Sequence, residues 1–150
     1  MKLAEALQER ADLDRRVQQL QQRLENNAMV QEGEPPAEDP AELLAELDGC
    51  VGALEQIVAR INLTNCRTAV EGKSLTQLLA RRDVLKLKLS AYRDLAYNAS
   101  QLGRRATRTE IKLFSAVNVK DLQKQVDTLA RELRLLDNSI QAANWATELD

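Results

Sequence analysis

The chain has no histidine in its 150 residues. That removes the usual general base near neutral pH and the commonest metal ligand in one step. Aromatics are scarce as well, with only Tyr92, Tyr97, Phe114 and Trp145. Glycine and proline are few and most fall between segments, while Leu, Ala, Gln, Glu and Arg dominate. This is the composition of long helices rather than of sheets. No apolar run approaches the ~20 residues of a membrane span, and no basic-then-apolar leader opens the chain. A soluble, cytoplasmic protein is expected. The two cysteines, Cys50 and Cys66, fall on one expected helix. Sixteen residues at ~1.5 Å rise set them roughly 24 Å apart, too far to bridge, so reduced thiols are expected.

What the chain does have is an apolar repeat in its last third. Val119, Val126, Leu133 and Ile140 occupy one heptad position, and Leu122, Leu129, Leu136 and Ala143 the other. Such spacing keeps one seam along a helix, and the seam must be covered by another helix. The flanks hold Gln123, Ala130 and Asp137 on one side and Gln125, Glu132 and Ser139 on the other. They lack the paired charges of a dimeric zipper, which favours bundle packing over a two-stranded coil.

Start and stop signals divide the chain into four helices, at about 2–27, 40–66, 75–100 and 119–146. In the first, Leu3, Ala6, Leu13, Val17, Leu20 and Leu24 form a seam interrupted by Arg10. The second opens with Asp39 as cap, Pro40 at the first helical position and Glu42 placed for a capping box. Its apolar rows are Leu44, Val51, Val58 and Leu47, Leu54, Ile61, joined by Leu43, Cys50 and Ile57. So wide a stripe implies more than one helical neighbour. Ser74 with Gln77 reads as a second capping box, and Asn118 with Asp121 caps the fourth helix. The β-branched stretch at about 110–117 predicts a short strand, with Met29-Val30-Gln31 or a symmetry-related copy as its partner. The fold class is therefore all-α: a single domain of four long amphipathic helices, bundle- or coiled-coil-like, with one short β element. The excess of stripe over what four helices can bury points to a homo-oligomer, a dimer or a higher closed ring.

Charge is segregated. No Lys or Arg lies between Leu24 and Ala59, which holds nine acids; from Arg60 to Leu113 the balance reverses. Opposite blocks can satisfy each other within a subunit or between subunits. The basic joint from Gly103 to Glu110 carries Arg104, Arg105 and Arg108 with Thr107 and Thr109. Three guanidiniums can grip a phosphate or carboxylate by bidentate hydrogen bonds, joined by Arg81 and Arg82 if the third helix folds back. The plainer use of these arginines is pairing with the acidic block at a subunit contact. Nucleic acid is not the expected partner, because no aromatic sits among the arginines to stack bases and the chain is not basic overall.

Asn62, Thr64 and Asn65 cluster at the end of the second helix. Asn65 continues the row Leu44-Val51-Val58, so it reads as a buried amide fixing register, with a pocket lining as the alternative. Glu38, Glu42 and Glu46 recur every four residues, which reads as a solvated face rather than a cation site. Trp145 is expected to anchor against Leu149. Cys66 beside Arg67 could have a lowered thiol pKa, a weak signal from one cation. No catalytic residue, metal or cofactor is expected.

Several polar strings occur together: Arg60-Ile61-Asn62-Leu63-Thr64-Asn65, Ala80-Arg81-Arg82-Asp83, Arg108-Thr109-Glu110-Ile111-Lys112 and Leu136-Asp137-Asn138-Ser139-Ile140-Gln141 with Asn144-Trp145. With Gln31-Glu32-Gly33-Glu34 and Ala37-Glu38-Asp39-Pro40, they resemble a family of small bacterial proteins commonly labelled septicolysin. The resemblance spans essentially the whole chain and implies an all-helical fold. It brings no catalytic residues, and its label implies a cytolysin. The residues themselves point first to a structural or interaction module without chemistry, and second to a small-anion binding protein or enzyme at the basic joint. A membrane partner is not expected, because the helices could bind a bilayer only by exposing faces needed for their own core.

Overall fold

A computed structural model of the chain describes residues 1–101 and 111–150. It is mostly helical: α1 (Leu3–Asn26), α2 (Pro40–Arg67), a hairpin of β1 (Ala69–Val70) and β2 (Lys73–Ser74), α3 (Leu75–Ser100) and α4 (Val119–Ala146). The chain forms two compact units, one of Met1–Ala69 with Ala143–Asp150 and the other of Val70–Ala142.

In the first unit α1 and α2 pack antiparallel. Leu20, Leu43 and Cys50 are buried together, with Val17, Leu24 and Leu47 against them. Burying one such leucine contributes about 1.5–3 kcal/mol, enough for a few of them to hold a helix pair. The α2 residues turned inward are Leu43, Cys50, Ile57, Ile61 and Thr64. Within the wide apolar stripe, the row turned inward is thus Leu43-Cys50-Ile57, one residue displaced from Leu44-Val51-Val58. At the turn, Asn27 is buried; its side chain donates to the Arg23 carbonyl at 2.8 Å and accepts from the Glu38 amide at 3.0 Å. Asp39 caps α2 by accepting from the Ala41 amide at 2.9 Å. Glu42 lies in the first turn, but its carboxylate does not complete a capping box.

The final residues complete this unit. The Leu3 amide donates to the Thr147 carbonyl, the Leu149 amide donates to the Met1 carbonyl, and Lys2 bridges to Glu148 in antiparallel register. Leu149 is buried by this return, whereas Trp145 stays 55% exposed and does not serve as the expected anchor.

In the second unit α3 begins at a reciprocal capping box, with Gln77 N–H donating to Ser74 Oγ at 3.2 Å and Ser74 N–H donating to Gln77 Oε1 at 2.9 Å. Asn118 caps α4 through the Asp121 amide at 3.1 Å. The end of α3 (Arg93, Ala96, Ser100) lies beside the start of α4 (Val119, Lys120, Gln123), and Leu78 and Arg81 lie beside Glu132, Leu136 and Ser139, so the two helices run antiparallel. Arg81 pairs with Glu132 and Arg82 with Asp137 across them. Leu75, Leu78, Leu85, Leu89 and Ala96 are buried on α3. The α4 seam is turned inward throughout: Leu122, Val126, Leu129, Leu136 and Ile140 are buried, and Val119, Leu133 and Ala143 are half-buried.

The β element lies elsewhere than expected. Residues 111–117 form no strand, and Met29 and Val30 are exposed without pairing. Side-chain propensity alone leaves an extended segment with its ladder groups unpaired, so a strand forms only where the chain supplies a neighbour. Glu71 and Gly72 supply one: both have positive φ, +50° and +80°, the geometry of a two-residue hairpin turn between β1 and β2.

Candidate functional site

Four of the expected site residues, Arg81, Arg82, Asn62 and Asn65, lie among the described residues. Arg104, Arg105 and Arg108 lie outside the described residues. Arg81 is exposed and donates to Glu132 at 2.6 Å. Arg82 points inward with 24% of its side chain exposed, 3.7 Å from Asp137 and 3.5 Å from Asp83, and its buried Nε has no hydrogen-bond partner. Asn62 is exposed and Asn65 half-buried, so Asn65 is not the buried amide of α2. That place falls to Thr64, whose Oγ1 accepts from the Asp150 amide at 3.1 Å. The shift of the buried row by one residue explains the exchange, since Thr64 continues Leu43-Cys50-Ile57.

The ion pairs among the described residues each lie within one of the two units. The acidic block meets arginines of α1: Arg16 pairs with Glu46 and Arg23 with Glu38. The Arg23 guanidinium holds the Glu38 carboxyl below the usual glutamate range. Arg67 pairs with Asp150 at 2.8 Å, and Lys2 holds the Glu148 carboxyl low from 2.6 Å. Asp48 and Glu55 on α2 and Lys88 on α3 make no ion pair with any described residue, although Lys88 lies 5.6 Å from the Tyr92 ring centroid. Among the described residues no cluster of three Cys, Asp or Glu could hold a metal ion. Cys50 is buried, Cys66 is exposed, and both are free of disulfides.

Two kinds of surface remain. The first is apolar, with one row on each unit. On α2, Leu44 is 50% and Val51 47% exposed, with Val58 half-buried in the same row. On α3, Val84 is 61%, Leu87 71% and Leu95 47% exposed, and Ala80 and Ala91 share that stripe. Phe114 and Leu113 add to it, since they flank a groove whose other wall includes Leu95, Asn98 and Ala99. Isolated apolar side chains on a surface are ordinary, but rows at helical spacing mark a contact face. Only the α2 row was legible as surplus; the inner α3 stripe drew attention from the outer one.

The second surface is an open groove of about 830 Å³ between the end of α3 and the start of α4. Ala96, Val119 and Val126 line it, with Arg93, Lys120 and Lys124 as its cations and Asp127 as its acid. Sequence reading missed these cations because they are spread over two helices, thirty-one residues apart at most.

Fold and surfaces together describe a helical protein with apolar helix faces left uncovered and no assembled catalytic centre among the described residues. The chain belongs to a family of unknown function, DUF6847, which it matches over residues 10–149. It is similar to a solved structure, a functionally unknown conserved protein from Corynebacterium diphtheriae. The two are 42% identical, with a TM-score of 0.94, over 100% of this chain and 99% of that one. No curated protein matches the chain. Neither similarity carries the septicolysin label, and no helix among the described residues is long and apolar enough to cross a membrane.

Proposed function

We propose that the protein is a self-associating helical module, a cytoplasmic homo-oligomer whose role is structural or interactive rather than catalytic. The observation that carries this reading is the pair of exposed apolar rows, Leu44 with Val51 on α2 and Val84, Leu87 and Leu95 on α3. Covering such rows removes apolar area from water at about 25 cal/mol per Å², the main driving force for association between like chains. Light scattering coupled to size exclusion tests it. A multiple of the 16.8 kDa subunit mass is expected at micromolar concentration. A monomer that persists up to roughly 100 µM would sink the reading.

A second reading is the binding of a small phosphate or carboxylate, favoured by the groove with Arg93, Lys120 and Lys124 against one acid. Concave sites with an apolar floor and a few convergent charges are the usual form of small-molecule sites. A thermal-shift screen with inorganic phosphate, nucleotides and carboxylates discriminates. Stabilisation that disappears in Lys120→Ala and Lys124→Ala supports it; no shift removes it. Lysis, the activity implied by the septicolysin label, is tested by dye release from liposomes, and no leakage is expected, because the long helices bury their apolar seams in their own cores.

A further inference from the structure

We infer that the exposed row of α2 docks, antiparallel, on the exposed stripe of α3 of a second copy of this chain. The inference rests on the self-association proposed above and names its surfaces.

The first support is that each row stays exposed among the described residues. Leu44, Val51, Val84, Leu87 and Leu95 each keep between 47% and 71% of their surface exposed. The second is that the charged flanks match. Asp48 and Glu55 each follow an apolar residue of the α2 row by four positions, Leu44 and Val51 respectively. Lys88 likewise follows Val84 of the α3 stripe by four positions. Residues four positions on lie on the same side of such a row in every right-handed helix. When two helices pack antiparallel, flanks of the same side meet; when they pack parallel, opposite flanks meet.

Antiparallel docking therefore sets Asp48 and Glu55 against the Lys88 side of α3. Parallel docking would set them against the side bearing Asp83 and Asp94, where like charges repel. All three flank residues reach this contact without surrendering another ion pair, since none pairs within the described residues. Self-pairing of α3 by an antiparallel two-fold would oppose Lys88 to its own copy, and self-pairing of α2 would oppose its acids. Among the antiparallel arrangements, the α2–α3 combination is the one in which apolar rows meet and opposite charges face each other. Because it joins two different surfaces, each copy both offers and accepts one. It closes as a ring, or as a two-fold pair in which the contact is made twice.

The test is charge exchange, read by light scattering and by dilution-series sedimentation on the full chain. Glu55→Lys and Lys88→Glu should each weaken association roughly tenfold, and Glu55→Lys/Lys88→Glu in one chain should recover it to within about threefold of wild type. An equimolar mixture of the two single variants should associate more tightly than either alone. Leu87→Glu places a charge in the stripe and should weaken association by roughly a hundredfold or more. Far-UV circular dichroism confirms that each variant keeps its helices, as expected for exposed positions. If wild type is monomeric, self-association itself fails and this docking with it. If wild type associates but the charge variants and Leu87→Glu all associate as wild type does, the chosen surfaces are wrong while self-association stands.

Discussion

Arg23 of α1 and Glu38, just before α2, are joined by a forked ion pair, with Nε 3.0 Å from Oε2 and 3.2 Å from Oε1 and Nη2 closing on Oε1. The Glu38 amide is held in turn by Asn27, which caps the end of α1. One residue thus fastens the loop from both its main chain and its side chain.

The pair has a defined pH signature. Pairing holds the folded-state carboxyl of Glu38 below its unfolded value of about 4.5. Its contribution is therefore whole above the ordinary glutamate range and fades as pH falls through the lowered folded value. Glu38→Gln should lower the melting temperature at pH 7 by roughly one to three degrees, because both side chains are well solvated. The gap between variant and wild type should close as pH falls from about 5 to about 3. Thermal melts across that range check it, and a gap that widens on acidification would contradict it.

The α1–α2 core and the exposed row of α2 should respond differently to truncation. Leu20 is fully enclosed against Leu43 and Cys50, so Leu20→Ala should cost about 2–5 kcal/mol of stability in denaturant titrations. Leu44→Ala removes a side chain that is half-exposed, and at dilutions where the chain is monomeric it should change stability by less than about 1 kcal/mol. Equal costs at the two sites would mean that the exposed row is packed in the monomer.

Helix number and bounds were legible because caps and periodicity are local. Ser74 with Gln77 and Asn118 with Asp121 act in the structure as their spacing implies. The eightfold seam of α4 was legible for the same reason. Which α2 row turns inward was not, because Leu43-Cys50-Ile57 and Leu44-Val51-Val58 differ by a rotation of about 100°, and both are apolar. Only the partner helix decides, and its contact with Leu20 chose the first row. The site residues were least legible. Arg81 and Arg82 find Glu132 and Asp137 across more than fifty residues of chain, a pairing that no local spacing encodes.

The hairpin turn stores a small strain that can be relieved. Glu71 has φ +50°, a conformation that costs residues with a Cβ roughly 1 kcal/mol relative to glycine, and its side chain is exposed. Glu71→Gly should therefore hold stability or raise it by up to about 0.5 kcal/mol, once the added unfolded-state entropy is subtracted. Gly72→Ala, at φ +80°, should lower it by a similar amount. Chemical denaturation of both variants checks the opposed signs.

Arg82 offers the sharpest contrast between charge and packing. It interrupts the inner stripe of α3 between Leu78, Leu85 and Leu89, its Nε is buried without a partner, and its nearest carboxylate oxygens stand at 3.5 and 3.7 Å. The guanidinium thus bears a desolvation cost that loose pairing only partly offsets. Arg82→Met keeps the volume of the stem and removes both the cost and the pairing, so stability should hold or rise by about 1–2 kcal/mol. Asp137→Ala leaves the guanidinium half-buried without its α4 partner and should lower stability by about 1 kcal/mol. The two variants measured together by urea unfolding decide the matter: if Arg82→Met is the more damaging, Arg82 is holding α3 to α4 through its charge rather than through its stem.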